Sequence, residues 1–379
     1  MKLSSSNSLA LTNLKKDWIK AGLFFMLFAG GVYFLLNRYW EVSYALRWLG
    51  LTSAFSIYQL WALWRSLPLN HRENESELLP NLGWANAISF GRGIFIAALL
   101  GFLFSPWPEG WMAWLPFIFY LLAALSDILD GYLARVNNHA TKLGAALDMN
   151  NDSWGVLIVT ILAFWYGQVP IWYLPVGLAR YIFIFGLWVR EKQGKQNFQM
   201  PFSYRRRIFA GVQMGFIVAM LAPLFSPPAT TIAATLFMIP FLGGFLYDWL
   251  LVAGKIDPHK GAAYFEELLS FAWLPWVPFL LRLCTAVALA YTIFVQPLNV
   301  IWTVSQILLI VMLFAGVLGR LAAILVLIFT GLNFASIFPA SLILLVLGTI
   351  LLFTGTGTLS LWSPEEWLIY NRAGENADL

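Results

Sequence analysis

The sequence predicts an all-α, polytopic integral membrane protein with about twelve transmembrane helices. Of its 379 residues, 60% are hydrophobic and only 11% are charged, whereas soluble domains average about 45–50% and about 25%. The mean hydropathy is +0.73. Such a chain has too few polar residues to cover a water-soluble particle and too many apolar residues to remain disordered.

Successive apolar segments account for the helices, since a spanning helix needs about 20 mostly apolar residues. The predicted spans are 18–37, 43–64, 84–105, 111–134, 146–167, 169–190, 207–225, 229–253, 270–296, 300–318, 320–333 and 336–354. Residues 1–79 form an N-terminal extension with two spans, 80–253 a six-helix core, and 254–379 a four-helix unit with a short polar tail. We expect the first span to be retained rather than removed as a signal peptide.

Lys and Arg residues cluster in alternate loops, most densely at 190–207. This positive-inside pattern places those loops and both termini in the cytoplasm, and we expect the membrane to be a bacterial cell (inner) membrane. It also accounts for the net charge of +4, so no nucleic-acid partner is expected. The single Cys284 excludes an internal disulfide, and three scattered histidines do not favour a zinc site.

Aspartates, which are costly inside a membrane, concentrate at two adjacent helix ends. At about 100° per residue, one face of the first helix end carries Asp127, Asp130, Gly131, Ala134 and Arg135. A stripe on the next helix carries Gly144, Asp148 and Asp152. Because the connection is short, the two helices should be antiparallel neighbours and the four carboxylates should converge.

Four ionised carboxylates in a low-dielectric setting need counter-charge. Oxygen ligands of this kind select magnesium, manganese or calcium over zinc. One or two such ions beside Arg135 would bind a phosphate or diphosphate, and the small residues Gly131, Ala134 and Gly144 would leave room for it. Taken singly, each aspartate could instead be a hydrated helix-end charge, but the eight positions together would coincide by chance about once in 10^10 positions.

The spacing Asp-x2-Asp-Gly-x2-Ala-Arg-x8-Gly-x3-Asp-x3-Asp resembles the signature of the CDP-alcohol phosphotransferase (CDP-alcohol phosphatidyltransferase) family. The resemblance covers about residues 80–253. It implies a six-helix core with its site facing the cytoplasm, in which a CDP-linked lipid donor is attacked by a small alcohol acceptor and CMP is released. Phospholipid biosynthesis is the implied setting, and family members are commonly homodimers.

The resemblance also implies residue roles. Asp127, Asp130 and Asp148 would bind two Mg2+ or Mn2+ ions, and Asp152 would be the general base and a further metal ligand. Contacts to the CDP donor are expected from Gly131, Ala134, Arg135, Gly144, Asn86, Ser89 and Arg92, with Ser89 replacing the family's threonine. The alternative for Asn86 is helix capping, and for Arg92 a snorkelling interfacial side chain.

Two basic features are candidates for the acceptor site. Arg206 and Arg207 precede the fifth core helix, where the family keeps a basic stretch, although a positive-inside anchor explains them equally well. Arg180 lies within a span and should face a polar cavity. Asp248 is a candidate partner for Arg180 or Lys255, a choice that the sequence leaves open.

Residues 254–379 resemble the DoxX-like four-helix membrane proteins more loosely, through Arg282, Arg320 and the Gly/Thr-rich segment 355–361. A helical appendage that aids stability or association is the alternative. For the whole chain, the main alternative to a transferase is a cation- or proton-coupled transporter, which would place its carboxylates near the bilayer midplane. A redox-system subunit would need haem or quinone ligands, and paired intramembrane histidines are missing from the sequence.

Overall fold

The computed structural model describes residues 5–137, 139–200, 203–256 and 276–365. Within these ranges the regular structure is helical, apart from an isolated bridge between Val317 and Trp362. The α-helices are α1 Ser5–Tyr39, α2 Val42–Ser66, α3 Gly83–Gly101, α4 Leu115–Val136, α5 Lys142–Trp165, α6 Pro175–Lys192, α7 Tyr204–Met220, α8 Ala229–Val252, α9 Val277–Val295, α10 Val300–Ala315, α11 Gly319–Leu332 and α12 Ala340–Thr354.

Six helical segments of the described residues are long and apolar enough to cross a membrane. They are Asn7–Tyr39, Gly83–Gly101, Gly110–Val136, Ile171–Lys192, Ala229–Val252 and Val277–Val295. Helices α10 to α12 are apolar but shorter. The predicted all-α polytopic membrane fold is confirmed, and the described helices roughly match the predicted count.

Two compact units can be distinguished, and the first contains α1 to α5. It consists of Met1–Leu178 with Ile217–Pro223 among the described residues. Its apolar core joins α1 and α2 to α3 and α5, with Leu14, Leu63, Phe90 and Leu147 among its buried members. The predicted domain boundaries after residues 79 and 253 stay predictions.

Tryptophan side chains tie the N-terminal helices to their neighbours in this unit. The indole nitrogen of Trp18 on α1 donates to the carbonyl of Leu60 on α2 at 2.7 Å. The indole nitrogen of Trp48 on α2 donates to the carbonyl of Ala98 on α3 at 2.9 Å. Hydrogen bonds between helices help to hold membrane bundles together where the hydrophobic effect contributes little. The extension therefore packs as an integral part of the first unit.

The second unit holds Ala179–Phe216 and the described residues from Leu224 onward. Its two buried arginines bind backbone carbonyls at and after the end of α12. Arg282 donates to the carbonyls of Thr358 and Leu359 at 2.6 and 3.3 Å, and Arg320 donates to that of Leu352 at 2.6 Å. Since the last carbonyls of a helix have no partner within the helix, Arg320 satisfies one of those at the end of α12, whereas Arg282 binds the segment that follows it.

Some predictions concern residues outside the described ranges. In the predicted four-helix unit at 254–379, residues 257–275, which include the start of the predicted span 270–296, and residues 366–379 of the polar tail lie outside the described ranges.

Candidate metal centre

Helices α4 and α5 present the predicted aspartates on either side of a short connection. The α5 helix begins at Lys142, and the preceding Thr141 caps it, because its hydroxyl accepts a hydrogen bond from the backbone N–H of Gly144 at 3.0 Å. The α4 helix ends at Val136. Asp127 therefore lies near the last turns of α4, whereas Asp148 and Asp152 lie in the first half of α5.

Asp127, Asp148 and Asp152 form a three-aspartate cluster. One carboxylate oxygen from each lies within 4.8 Å of the others. The side chains are partly exposed, by 33%, 49% and 42% respectively. The structure thus brings three of the four predicted metal ligands together at a site that remains accessible.

Arg92 of α3 supplies counter-charge to this cluster. Its guanidinium pairs with the carboxylate of Asp127, lies 2.5 Å from that of Asp148 and lies 3.4 Å from that of Asp152. The arginine side chain is only 2% exposed, so it approaches the carboxylates from the protein interior. Arg92 was predicted to contact the CDP donor, a role that stays a prediction.

Asp130, the fourth predicted ligand, points its carboxylate toward α3. Its Oδ2 accepts a hydrogen bond of 2.6 Å from the hydroxyl of Ser89, and both side chains are buried. Among the described residues, Asp130 is not part of the three-aspartate cluster. Its role as a metal ligand stays a prediction, and Ser89 holds it in place.

The remaining predicted donor residues surround the helix ends. Asn86 is buried and donates to Asn70 and Thr141 at 3.1 and 3.2 Å. Gly144 accommodates it, since a Cβ there would lie 2.6 Å from Asn86 Oδ1. On α4, a Cβ at Gly131 would lie 3.3 Å from a guanidinium nitrogen of Arg135.

The space beside Gly144 is therefore filled by Asn86, and that beside Gly131 by Arg135. Ala134, on the same turn of α4, is partly buried. Its carbonyl accepts a hydrogen bond of 2.9 Å from the backbone N–H of His139. The predicted contacts of these residues with the donor stay predictions.

The predicted acceptor residues belong to the second unit. Arg206 lies 3.4 Å from the carboxylate of Asp248, which is buried near the end of α8. Asp248 thus has a partner that the sequence did not indicate. Arg180 and Arg207 lie on α6 and α7, and their role in acceptor binding stays a prediction.

The charge balance of the cluster fits a divalent cation. Three carboxylates and one guanidinium leave a formal charge of two minus, which a single divalent ion would neutralise. All three donor atoms of the cluster are carboxylate oxygens, and such hard ligands suit Mg2+ or Mn2+. Their partial exposure leaves a path for an ion and a phosphate.

The sequence reasoning missed a set of amide side chains beside the cluster. Asn150 and Asn151 fill the turn between Asp148 and Asp152, and both are hydrogen-bonded to Gln59 of α2 at 3.2 Å. Two consecutive asparagines on a membrane helix are themselves a signal of polar contact between helices. Their partner, far away in the sequence, carries no recognisable motif.

The fold and the cluster define a helical membrane protein with a carboxylate-rich centre suited to a divalent cation. Residues 82–246 match the model of the CDP-alcohol phosphatidyltransferase family. The resemblance seen in the aspartate spacing is thereby confirmed. The DoxX-like resemblance of residues 254–379 stays a prediction.

Two curated relatives share the name CDP-diacylglycerol–glycerol-3-phosphate 3-phosphatidyltransferase. The Cereibacter sphaeroides protein is 34% identical over 95 residues, which cover 24% of this chain and 41% of the relative. The Blochmanniella floridana protein is 29% identical over 124 residues, covering 31% of this chain and 63% of the relative. The chain thus spans less than two thirds of either relative. No solved structure matches the chain significantly.

Proposed function

We propose that this chain transfers a phosphatidyl group from a CDP-linked lipid donor to a small alcohol, with release of CMP, in phospholipid biosynthesis. The observation that carries the proposal is the three-aspartate cluster on two neighbouring helices, within the segment that matches the family. The relatives' names specify CDP-diacylglycerol and glycerol 3-phosphate. These two compounds are therefore the first donor and acceptor to test.

Asp127, Asp148 and Asp152 would hold the divalent cation, Mg2+ or Mn2+, and Asp130 is the further ligand that the motif predicts if two ions bind. When bound, the cation neutralises charge on the donor diphosphate and on the departing CMP. Asp130 lies on α4 one turn after Asp127, and Ser89 fixes the orientation of its carboxylate. The donor contacts proposed for this end of the site are Asn86, Ser89, Arg92, Gly131, Ala134, Arg135 and Gly144.

Asp152 is the proposed general base. The acceptor hydroxyl attacks the phosphorus that carries the lipid, the bond from that phosphorus to the CMP oxygen breaks, and the Asp152 carboxylate takes the hydroxyl proton. Asp152 has the longest of the three distances to Arg92, 3.4 Å, and its side chain is 42% exposed. This exposure lets a small alcohol reach the Asp152 carboxylate.

We further propose that the protein lies in a bacterial inner membrane with its site facing the cytoplasm, the orientation that the alternation of basic loops predicts. Arg180, Arg206 and Arg207 are the proposed contacts for a charged acceptor. A homodimer is the expected arrangement on the basis of the family alone.

The test is CMP release by the purified chain in detergent, with CDP-diacylglycerol and a panel of acceptors that includes glycerol 3-phosphate, inositol phosphate and serine. We expect release with one acceptor, loss of it on chelation of divalent metal, and recovery when Mg2+ or Mn2+ is restored. Asp127→Asn, which keeps the side-chain shape, is the matched inactive control. Folded protein that releases no CMP with any acceptor would contradict the proposal.

A further inference from the structure

Within the first unit, helix α2 has a buried polar face. This helix precedes the segment that matches the family. Thr52, Ser56 and Gln59 lie on this face and are each at most 2% exposed. The hydroxyls of Thr52 and Ser56 have no hydrogen-bond partner among the described residues. Gln59 differs, because both ends of its amide are engaged.

Gln59 is the centre of a network of side chains between α2 and α5. Its Nε2 donates to Asn151 Oδ1 at 3.2 Å, and its Oε1 accepts from Asn150 Nδ2 at 3.2 Å. The hydroxyl of Tyr58 donates to Asn150 Oδ1 at 2.9 Å and accepts from the indole nitrogen of Trp154 at 3.3 Å. Linked hydrogen bonds in a low-dielectric interior reinforce one another and fix side-chain positions.

The network binds the turn of α5 that carries two of the cluster's carboxylates. Asn151, buried between Asp148 and Asp152, also donates to the backbone carbonyl of Ser89 on α3 at 2.6 Å. The network therefore fixes the rotation of α5 against α2 through Gln59 and against α3 through Asn151. Because each residue adds about 100° of rotation and 1.5 Å of rise, even a small turn of α5 would displace both carboxylates.

A glycine on α3 leaves the space that the network needs. A Cβ at Gly93 would lie 3.2 Å from Asn151 Oδ1 and 3.2 Å from Gln59 Nε2. Such contacts are tighter than ordinary van der Waals packing, so a larger residue would push the two amides apart. Three helices thus approach each other at the point where the amides meet.

We propose that Gln59 is a positioning residue for the metal centre, acting through Asn150 and Asn151 on Asp148 and Asp152. This inference rests on the proposed function and extends the site to a helix outside the family domain. Groups that orient metal ligands without touching the metal typically change affinity or activity 10- to 100-fold when removed. A change of roughly this size in metal affinity or activity, in a variant that still folds, would indicate that the residue positions the metal ligands.

The test compares Gln59→Met, which keeps the length of the side chain without the amide, with Ser56→Ala on the same buried face. Binding of Mn2+ to the purified full chain is followed by electron paramagnetic resonance, and CMP release is measured in parallel. We expect Gln59→Met to raise the Kd for Mn2+ roughly tenfold and lower kcat similarly, with the KM for the CDP donor within about twofold. Ser56→Ala should match the wild type.

If Gln59→Met is not recovered folded, Tyr58→Phe tests the same network, because it removes only the hydroxyl that donates to Asn150. A folded variant with wild-type Mn2+ affinity and kcat would overturn the inference, as would an equal loss in Ser56→Ala. Failure of the proposed function is distinguishable, because the wild-type chain itself would then release no CMP with any acceptor, whatever its affinity for Mn2+.

Discussion

Replacing Arg92 with glutamine removes a positive charge from the interior side of the three-aspartate cluster. In the structure this guanidinium pairs with all three carboxylates. A cation that binds the same oxygens must displace the guanidinium or share the carboxylates with it. We therefore expect Arg92→Gln to bind Mn2+ more tightly than the wild type, and to be less stable when no divalent ion is present.

The size of the effect follows from the charges and their exposure. An ion pair about 4 Å apart is worth about 1 kcal/mol in bulk water and about 4 kcal/mol at an effective dielectric constant of 20. The carboxylates are 33–49% exposed, so screening brings each pair toward the lower value. A total of about 1–3 kcal/mol corresponds to roughly a 5- to 150-fold decrease in the Kd for Mn2+.

The assay is a Mn2+ titration of the purified protein, paired with thermal unfolding in chelator and in saturating Mn2+. Arg65→Gln is the matched control, because it removes the same charge from an exposed position beside Trp61 at the end of α2. Arg92→Gln should show a lower Kd and a larger stabilisation by Mn2+, whereas the control should show neither. A folded Arg92→Gln protein whose Kd is unchanged or higher would refute the reasoning.

Two further substitutions test individual carboxylates. Asp152→Asn should lower kcat for CMP release by roughly 10²-fold or more while the KM for the CDP donor stays close to the wild-type value; an unchanged kcat would remove Asp152 as the base. Ser89→Ala should leave the buried Asp130 carboxylate without its 2.6 Å hydrogen bond and destabilise the protein by about 1–3 kcal/mol. A melting temperature in chelator equal to that of the wild type would contradict this second expectation.

Local spacing predicted the helices and a convergence of four carboxylates, of which the structure brings three together in the three-aspartate cluster. Four-residue periodicity places Asp148 and Asp152 on one stripe, and the short turn capped by Thr141 brings that stripe beside α4. The rotation of about 100° per residue also places Asp130 on the same face of α4 as Asp127, but about 60° away around the helix axis. That offset directs the Asp130 carboxylate to Ser89 on α3, a neighbour whose position depends on tertiary packing.

Contacts between distant segments could not be predicted from a single sequence. Gln59 and Asn151 are 92 residues apart, and neither belongs to a sequence motif from which the contact could be predicted. Likewise, the sequence suggested Arg180 or Lys255 as partners of Asp248, whereas the structure pairs Asp248 with Arg206. In both cases the choice of partner depends on how helices pack side by side.

The most direct test of the metal centre is Mn2+ binding to the wild-type chain and to Asp148→Asn, measured by electron paramagnetic resonance in the absence of substrate. We expect saturable binding by the wild type and a Kd at least about tenfold higher in the variant, because one of three carboxylate ligands is lost. Equal binding by both folded proteins, or none by the wild type, would contradict a cation site formed by Asp127, Asp148 and Asp152.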